Sequence, residues 1–436
     1  MKCINCLTDN NLKDRTANSG RCKQCNHRFA FEPTTMTGVK ITDPMFARAI
    51  ADISVNDTLF FTPKQLFYLL DKRSRPKFYE GLSTVTGYLI VNIVFGIFLL
   101  FFLIPFYLIF SGMSIYIWVM FVINSLLLLK TFTASRSSKN RYKKRQEFAK
   151  NFQTLGVIVG IFGIIFSLLS SSFPLFLASF AIGLLSISLG TRKIDKKLAN
   201  REEFILELNQ FQGWLNTWRE INSLTKLLPS PRALNANTAV SPEVSAYSFD
   251  RLVVCDRPEI AQFLIANNFH FENNCAVLSI TGYPQSIFDI TMEMLRRNPD
   301  LKVYGLHDCT PRGIGLVDHL RTSPNWFSDS SAIIIDIGIL PRQIIAAGDN
   351  MFVLSSESSA RDAVQLPPAI RQDLSAEELQ WLESGNFVEL ESFSPQKLIQ
   401  ILNRGIARSR DLGSDDSSFI LLGGTDSSIY VVDSFG

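Results

Sequence analysis

A chain of 436 residues exceeds one ordinary domain, so two or three folded units are expected. Hydrophobic residues make up 47%, Phe alone numbers 35, and charged residues fall to 19%, a balance that argues against a wholly soluble protein. The formal net charge of +3 is too small to imply a nucleic-acid partner. No apolar stretch follows the start Met1-Lys2-Cys3, so no cleavable signal peptide is expected.

The first unit covers residues 1–32. Cys3-Ile4-Asn5-Cys6 and Cys22-Lys23-Gln24-Cys25 are two CxxC pairs with fifteen residues between them. Two such knuckles close a tetrahedral thiolate site on one Zn2+ ion, with Cys3, Cys6, Cys22 and Cys25 as ligands. Gly20 suits the tight turn before the second knuckle, and His27 is a bystander to a shell already full. Disulfides are the alternative, but they do not suit the cytoplasm. A redox CxxC is the other, but it needs no second pair. The segment resembles the zinc ribbons at the start of many bacterial proteins. At this size it needs the metal to fold.

Residues 33–80 lead towards the membrane. Asp43 to Ile53 and Thr62 to Leu70 read as short helices, the second opened by a Thr62 cap and Pro63. Gln65-Leu66-Phe67-Tyr68 is similar to the stretch around the nucleophilic tyrosine of the topoisomerase VI A family. The match is four residues long, and an aromatic on a juxtamembrane helix is the plainer reading.

Residues 81–191 form the membrane domain. No Asp, Glu, Lys or Arg occurs from Gly81 to Leu129, nor from Asn151 to Thr191. A bilayer core about 30 Å thick takes about 20 apolar residues per helix. Four spans follow: Thr84 to Phe110, Ile115 to Lys130, Thr154 to Leu169 and Leu175 to Gly190. Basic residues cluster before the first span (Lys72, Arg73, Arg75, Lys77), between the second and third (Arg136 to Lys150), and after the last (Arg192 to Lys197). The positive-inside rule puts these segments and both termini in the cytoplasm, and the membrane expected is the inner (plasma) membrane of a bacterium. No Asp, Glu, Lys, Arg or His lies inside the spans, which argues against an ion path. Asn92 and Asn124 suit helix–helix bonding.

Residues 192–228 read as an amphipathic stem helix, with apolar Leu198, Ile205, Leu208, Leu215, Trp218 and Ile221. Two roles stand open for it, a homodimeric coiled coil and packing on the C-terminal domain. Residues 229–247, rich in Pro, Ala, Asn and Ser, read as a flexible linker that tethers the next domain.

Residues 248–410 alternate strands with helices. The strands are Arg251 to Cys255, Cys275 to Thr281, Lys302 to Leu306 and Ala332 to Ile337; the helices are Pro258 to Ala266, Ser286 to Arg297 and Gly313 to Leu320. The alternation predicts a parallel sheet with helices on both faces. Ligands gather at the carboxyl ends of such strands, where Asp256, Asp308 and Asp336 stand.

Three runs carry a resemblance: Leu252-Val253-Val254-Cys255-Asp256, Gly282-Tyr283-Pro284, and Val303 through His307-Asp308-Cys309-Thr310-Pro311-Arg312-Gly313. They resemble the Toprim domain of the topoisomerase VI A subunit family, and the segment from Leu374 to Pro395, including Leu382-Glu383-Ser384-Gly385-Asn386, resembles its later parts. The resemblance implies a site in which one glutamate and paired aspartates hold Mg2+ against a transferring phosphate. Here Asp256 stands for the glutamate, and Thr310 replaces the second aspartate. Asp336 compensates if its strand neighbours that of Asp308, and Thr310→Asp should restore a hard ligand. Pro311-Arg312-Gly313 opens a helix, so Arg312 and the Gly313 amide form a candidate anion site.

Residues 411–436 form a tail, with Phe419 to Leu422 and Ile429 to Val432 as a candidate hairpin. The fold class expected is multi-domain: a zinc ribbon, a four-helix transmembrane domain and a Toprim-like α/β domain. The function expected is that of a membrane-anchored cytoplasmic binding or scaffold protein, whose degraded Toprim-like domain recognises a protein, nucleotide or nucleic acid. The alternative is a magnesium-dependent nuclease or topoisomerase-like enzyme tethered to the lipid bilayer.

Overall fold

The computed structural model describes residues 1–75, 94, 113–136, 142–169, 171–191, 204–231, 249–297, 301–328, 330, 332–347 and 351–408. The expected first span, most of the linker and the tail hairpin lie outside the described residues. The chain divides into two compact units, Met1–Pro76 with Phe204–Gly436, and Lys77–Glu203. The head, the helices after it, the stem and the α/β domain therefore share one unit. This differs from a tethered C-terminal domain, and the reason is packing between residues far apart in sequence.

In the head, each knuckle repeats one design. Lys2 bridges Asp9 and Arg21 bridges Arg28, both antiparallel. The residue after each CxxC, Leu7 and Asn26, turns the chain with φ near +60°. The short helix α1 (Leu12–Ala17) joins the knuckles and is closed by an Asn11–Asp14 capping box. Arg15 anchors it, donating through Nε and Nη2 to the two carboxylate oxygens of Glu32.

Next come α2 (Asp43–Ile53) and α3 (Pro63–Ser74). Thr42 caps α2 by accepting from Met45 N, and Thr62 with Gln65 forms a capping box on α3, each with proline in the first turn. Asp43 accepts the amides of Ala30 and Phe31, which fastens the head to α2. The stem is the shorter helix α7 (Leu208–Ile221), whose Phe211, Trp214, Leu215 and Trp218 are buried. They pack on Phe31, Phe46, Leu66 and Phe67, with Phe31 stacked on Trp218 at 5.8 Å between ring centroids. The apolar face of the stem is thus used inside this chain, by the N-terminal helices. At the base of α3, Asp71 is fully buried. It accepts the amides of Ile205 and Leu206 and pairs with Arg75. The point where the chain leaves this unit and the point where it returns are joined by one carboxylate.

The α/β region has four parallel strands, β1 (Arg251–Cys255), β2 (Cys275–Ser279), β3 (Lys302–Leu306) and β4 (Ile333–Asp336), in the order β2-β1-β3-β4. Alternate side chains of β1 feed two cores. Val253 and Cys255 join Tyr304 and Leu306 on one face, while Leu252 and Val254 join Val303 on the other. Helices α8 (Pro258–Ala266) and α9 (Gln285–Arg297) follow β1 and β2. The helix expected from Gly313 to Leu320 is broken into Pro311–Ile314 and Leu316–Thr322 around Gly315. After β1 the chain passes to β2 on one side and then crosses to β3 on the other. The strand order reverses between β1 and β3, and the crevice at such a reversal is where open parallel sheets collect ligands. The helical layer reaches this domain through Asn267, whose amide group exchanges two hydrogen bonds with Phe60.

The second unit contains α4 (Met113–Arg136), α5 (Tyr142–Leu169) and α6 (Phe173–Thr191). Among the described residues, two helices are long and apolar enough to cross a membrane, Phe148–Leu168 and Phe173–Gly190. Gly160 of α5 meets Gly183 of α6 where a Cβ would stand 3.2 Å from the facing Cα. Gly156 and Gly163 face Ser186 and Ser179. Small residues at these places let two apolar helices approach closely.

Candidate functional site

Four cysteines converge in the head. The Sγ atoms of Cys3, Cys6, Cys22 and Cys25 all lie within 4.8 Å of one another. Crosswise, Cys3 Sγ stands 3.6 Å from Cys25 Sγ and Cys6 Sγ 3.6 Å from Cys22 Sγ. Tetrahedral Zn–S bonds of about 2.3 Å require sulfurs about 3.8 Å apart, so the donor set fits a metal ion such as zinc. Backbone amides of Cys25 and Gln24 hold the Cys22 thiol down to about 6, towards the thiolate form that binds metal. Burial pushes Cys3 the other way, up to about 12, and a bound cation would offset that cost. Asn10 supports the site by donating to Cys22 Sγ and accepting from Lys23 N. Among the described residues, no other group of three or more Cys, His, Asp or Glu side chains converges in this way.

The second candidate lies at the crevice between β1 and β3. Asp256 follows β1, and its Oδ2 accepts the Asp308 amide at 2.9 Å. Asp308 follows β3 and is buried. Its Oδ1 accepts the Leu390 amide at 2.6 Å, and Arg257 Nη2 stands 2.9 Å from its Oδ2. Burial raises the pKa of both acids, joined by repulsion from Asp256 at Asp308 and from Glu391 at Asp256, against the pull of Arg257. Asp336 ends β4, which does neighbour β3. Its carboxylate turns away to His307 Nε2 at 3.0 Å and the Gly338 amide at 2.8 Å. Burial works against a charge on His307, but the Asp336 carboxylate outweighs it and lifts the imidazole to about 9.

Thr310 is the helix cap, its Oγ1 accepting the Gly313 amide at 2.9 Å. The amide expected to bind an anion is therefore engaged. Arg312 is 86% exposed at its side chain and pairs with Asp362 at 2.9 Å. Arg312 and Gly313 do not form a shared anion pocket. Gly313 has a packing reason instead, since a Cβ there would strike the Asp308 carbonyl.

Several participants are not visible in a local reading of the sequence. Val388 pairs antiparallel with Cys309, and this delivers Glu389 and Glu391 to the crevice. Glu391 is buried and accepts from Arg257 Nη1 at 2.7 Å and from the Thr62 hydroxyl at 2.9 Å. Glu389 accepts from the Tyr68 hydroxyl and from Lys64 Nζ, each at 2.6 Å. Tyr68, an aromatic on a helix in the plainer reading, thus points its hydroxyl into the acidic cluster. Burial, followed by Glu389, pushes its pKa well above the ordinary phenol value. The available signal was the short likeness at Gln65 to Tyr68. An apolar cavity of about 80 Å3 beside β2, lined by residues including Ile265, Phe271 and Met294, shares no residue with the cluster.

The arrangement does not fit the magnesium site that the Toprim resemblance implies. Thr310 faces its own helix, Asp336 faces His307, and a guanidinium stands against Asp308. Compared with known proteins, no family model matches the chain, and no curated protein matches it either.

Proposed function

We propose that the chain is a membrane-anchored binding or scaffold protein, with four spans, cytoplasmic termini, a structural zinc head and a Toprim-like domain without metal chemistry. One observation carries this reading. The acids at the sheet's carboxyl ends are each engaged by groups of the protein itself, so they offer no converging set of hard ligands. The uncharged spans give a transporter no ion path. The crevice suits recognition of a protein, nucleotide or nucleic-acid segment by its rim. The competing reading, a magnesium-dependent nuclease or topoisomerase-like enzyme, draws on Tyr68 standing beside Glu389. Nicking of supercoiled DNA by the purified full chain with Mg2+ separates the two. No nicking above a protein-free control is expected. Cleavage lost in both Tyr68→Phe and Asp308→Ala would establish the enzyme reading instead. Cysteine labelling at Lys139, Ser111 and Ser171 tests the topology, with Lys139 expected to be accessible from the cytoplasm only.

A further inference from the structure

Away from the crevice, β2 is the outermost strand on its side of the sheet. Successive side chains of a strand point to opposite faces. Ala276 joins the core on one face and Val277 the core on the other. Both line the cavity beside this strand, so the hollow wraps the strand's outer edge and reaches the helices of both faces. The short helix Phe269–Glu272 brings His270 and Phe271 to it, and α9 brings Ile290. Ala276 is 8% exposed and Val277 1%, while Phe271 is 45% exposed and Ile290 43%. The hollow thus has a buried floor and an apolar mouth, the shape of a small-molecule pocket.

The lining sets the chemistry of an occupant. Among the described residues, no charged side chain lines the cavity. An ion placed there would lose its hydration and gain no counter-charge, so the occupant is neutral. Its size follows from the space. One water needs about 10–15 Å3, so the cavity of about 80 Å3 takes roughly five to eight water-sized groups, or one ring with a substituent. His270 supplies the polar point. Its ring lines the cavity, and its Nδ1 is buried with no hydrogen-bond partner among the described residues. Turning the ring to bring that nitrogen to a ligand therefore breaks no bond at it. Burial lowers the pKa of His270, so the imidazole is neutral at neutral pH. A neutral imidazole nitrogen donates in one tautomer and accepts in the other, and a hydroxyl answers either.

We infer that the cavity beside β2 is a binding site for a neutral single-ring molecule carrying one hydroxyl, with the ring between Ala276 and the mouth residues Phe271 and Ile290 and the hydroxyl on His270. Phe271 offers an aromatic neighbour for a ring, and a rigid ring loses less freedom on binding than a flexible chain of the same size. The cavity shares no residue with the crevice, so this inference goes beyond the functional reading above and does not rest on it. A bound ring would bridge α9 and the helix Phe269–Glu272 across the edge of the sheet.

The test uses the full chain in lipid nanodiscs, with 4-fluorophenol, fluorobenzene and 4-fluorobenzoate as probes read by fluorine NMR. Partition into lipid is common to every variant, so the signal is the difference between wild type and Ala276→Leu, whose larger side chain fills the floor. With 4-fluorophenol that difference should saturate, with a Kd on the order of 1 mM or tighter, a strength within reach of so small a ligand. Fluorobenzene should bind about tenfold more weakly for want of one hydrogen bond, and 4-fluorobenzoate should show no saturable difference. In His270→Phe the affinity for the phenol should fall to that for fluorobenzene. If Ala276→Leu does not fold, Ile290→Glu takes its place, a change at an exposed residue that sets a charge in the mouth. Absence of a saturable difference with 4-fluorophenol overturns the inference. So does binding of fluorobenzene or 4-fluorobenzoate as tight as that of the phenol, and so does a preference for the phenol that survives His270→Phe.

Discussion

At the scale of single residues, the crevice is governed by which partner each acid has. Thr310→Asp separates a local reading from the structural one. Aspartate is as good a helix cap as threonine, so the variant should fold and turn its carboxylate to the Gly313 amide. Its Mg2+ affinity should stay within about twofold of wild type by calorimetry, because the new oxygen caps a helix and does not join the cluster. Tyr68→Phe removes a buried donor to a carboxylate and should cost about 1.5–3 kcal/mol in denaturant unfolding. The His307–Asp336 pair makes a pH prediction. The folded imidazole pKa is raised to about 9 from its ordinary 6.5. Its contribution is fully present below the unfolded value and is lost as pH rises through the folded one. Stability of the wild type should therefore fall between about pH 6.5 and 9 by this component, while Asp336→Asn should lack it. Tryptophan fluorescence during urea unfolding across that range is the measurement. The sequence named Asp256, Asp308 and Asp336 because strand ends are legible from local pattern. It did not name Arg257, Glu389 or Glu391 as partners, because those roles depend on contacts up to 134 residues away within the domain. Tyr68 meets Glu389 across 321 residues, a separation no periodicity can bridge.

At the scale of elements, periodicity was the reliable guide. The first and third strands have the expected bounds, and the helix Pro258–Ala266 matches from end to end. The second and fourth strands are each shorter than expected, ending at Ser279 and at Asp336. The stem was legible as amphipathic, but amphipathicity states only that a face is buried, not what it faces. Its two tryptophans found the N-terminal helices. In the second unit, the α5–α6 contact depends on absent side chains. Gly160→Leu would place a branched side chain against the Gly183 backbone. It should cost about 1–3 kcal/mol, the usual penalty for overpacking, and lower the thermal midpoint in detergent. Gly213→Ala on α7 is the matched control. No atom lies within 4 Å of a Cβ there, so the change should be neutral or mildly stabilising.

At the scale of the whole molecule, the four-cysteine cluster and the helical layer should fail together if the head holds the metal proposed for it. Phe31 lies at the end of the head and packs on Phe46 and Trp218. Asp43 holds its amide. Removing the metal with a chelator should therefore unfold the knuckles and loosen this aromatic cluster. Tryptophan emission should shift to the red on chelation and return with added Zn2+, and Cys22→Ser should show the shifted spectrum throughout. An unchanged spectrum in the metal-stripped chain would separate the head from the layer.

The carboxylate of Asp71, holding the amides of Ile205 and Leu206, fixes an order of events during synthesis. The first unit is one fold interrupted by residues 77–203. The partners of Phe46 and Phe67 on α7 are not made until the interruption has been translated, roughly ten seconds after α3 at a rate of about 5–20 residues per second. Until then the apolar faces of α2 and α3 lack their cover, and the fully buried Asp71 lacks both of its amide donors. Completion of the first unit should thus wait until the intervening segment has left the ribosome. A nascent chain halted before Phe204 would present an unfinished hydrophobic surface to chaperones and proteases. A chain released after Ile221 carries the means to close it.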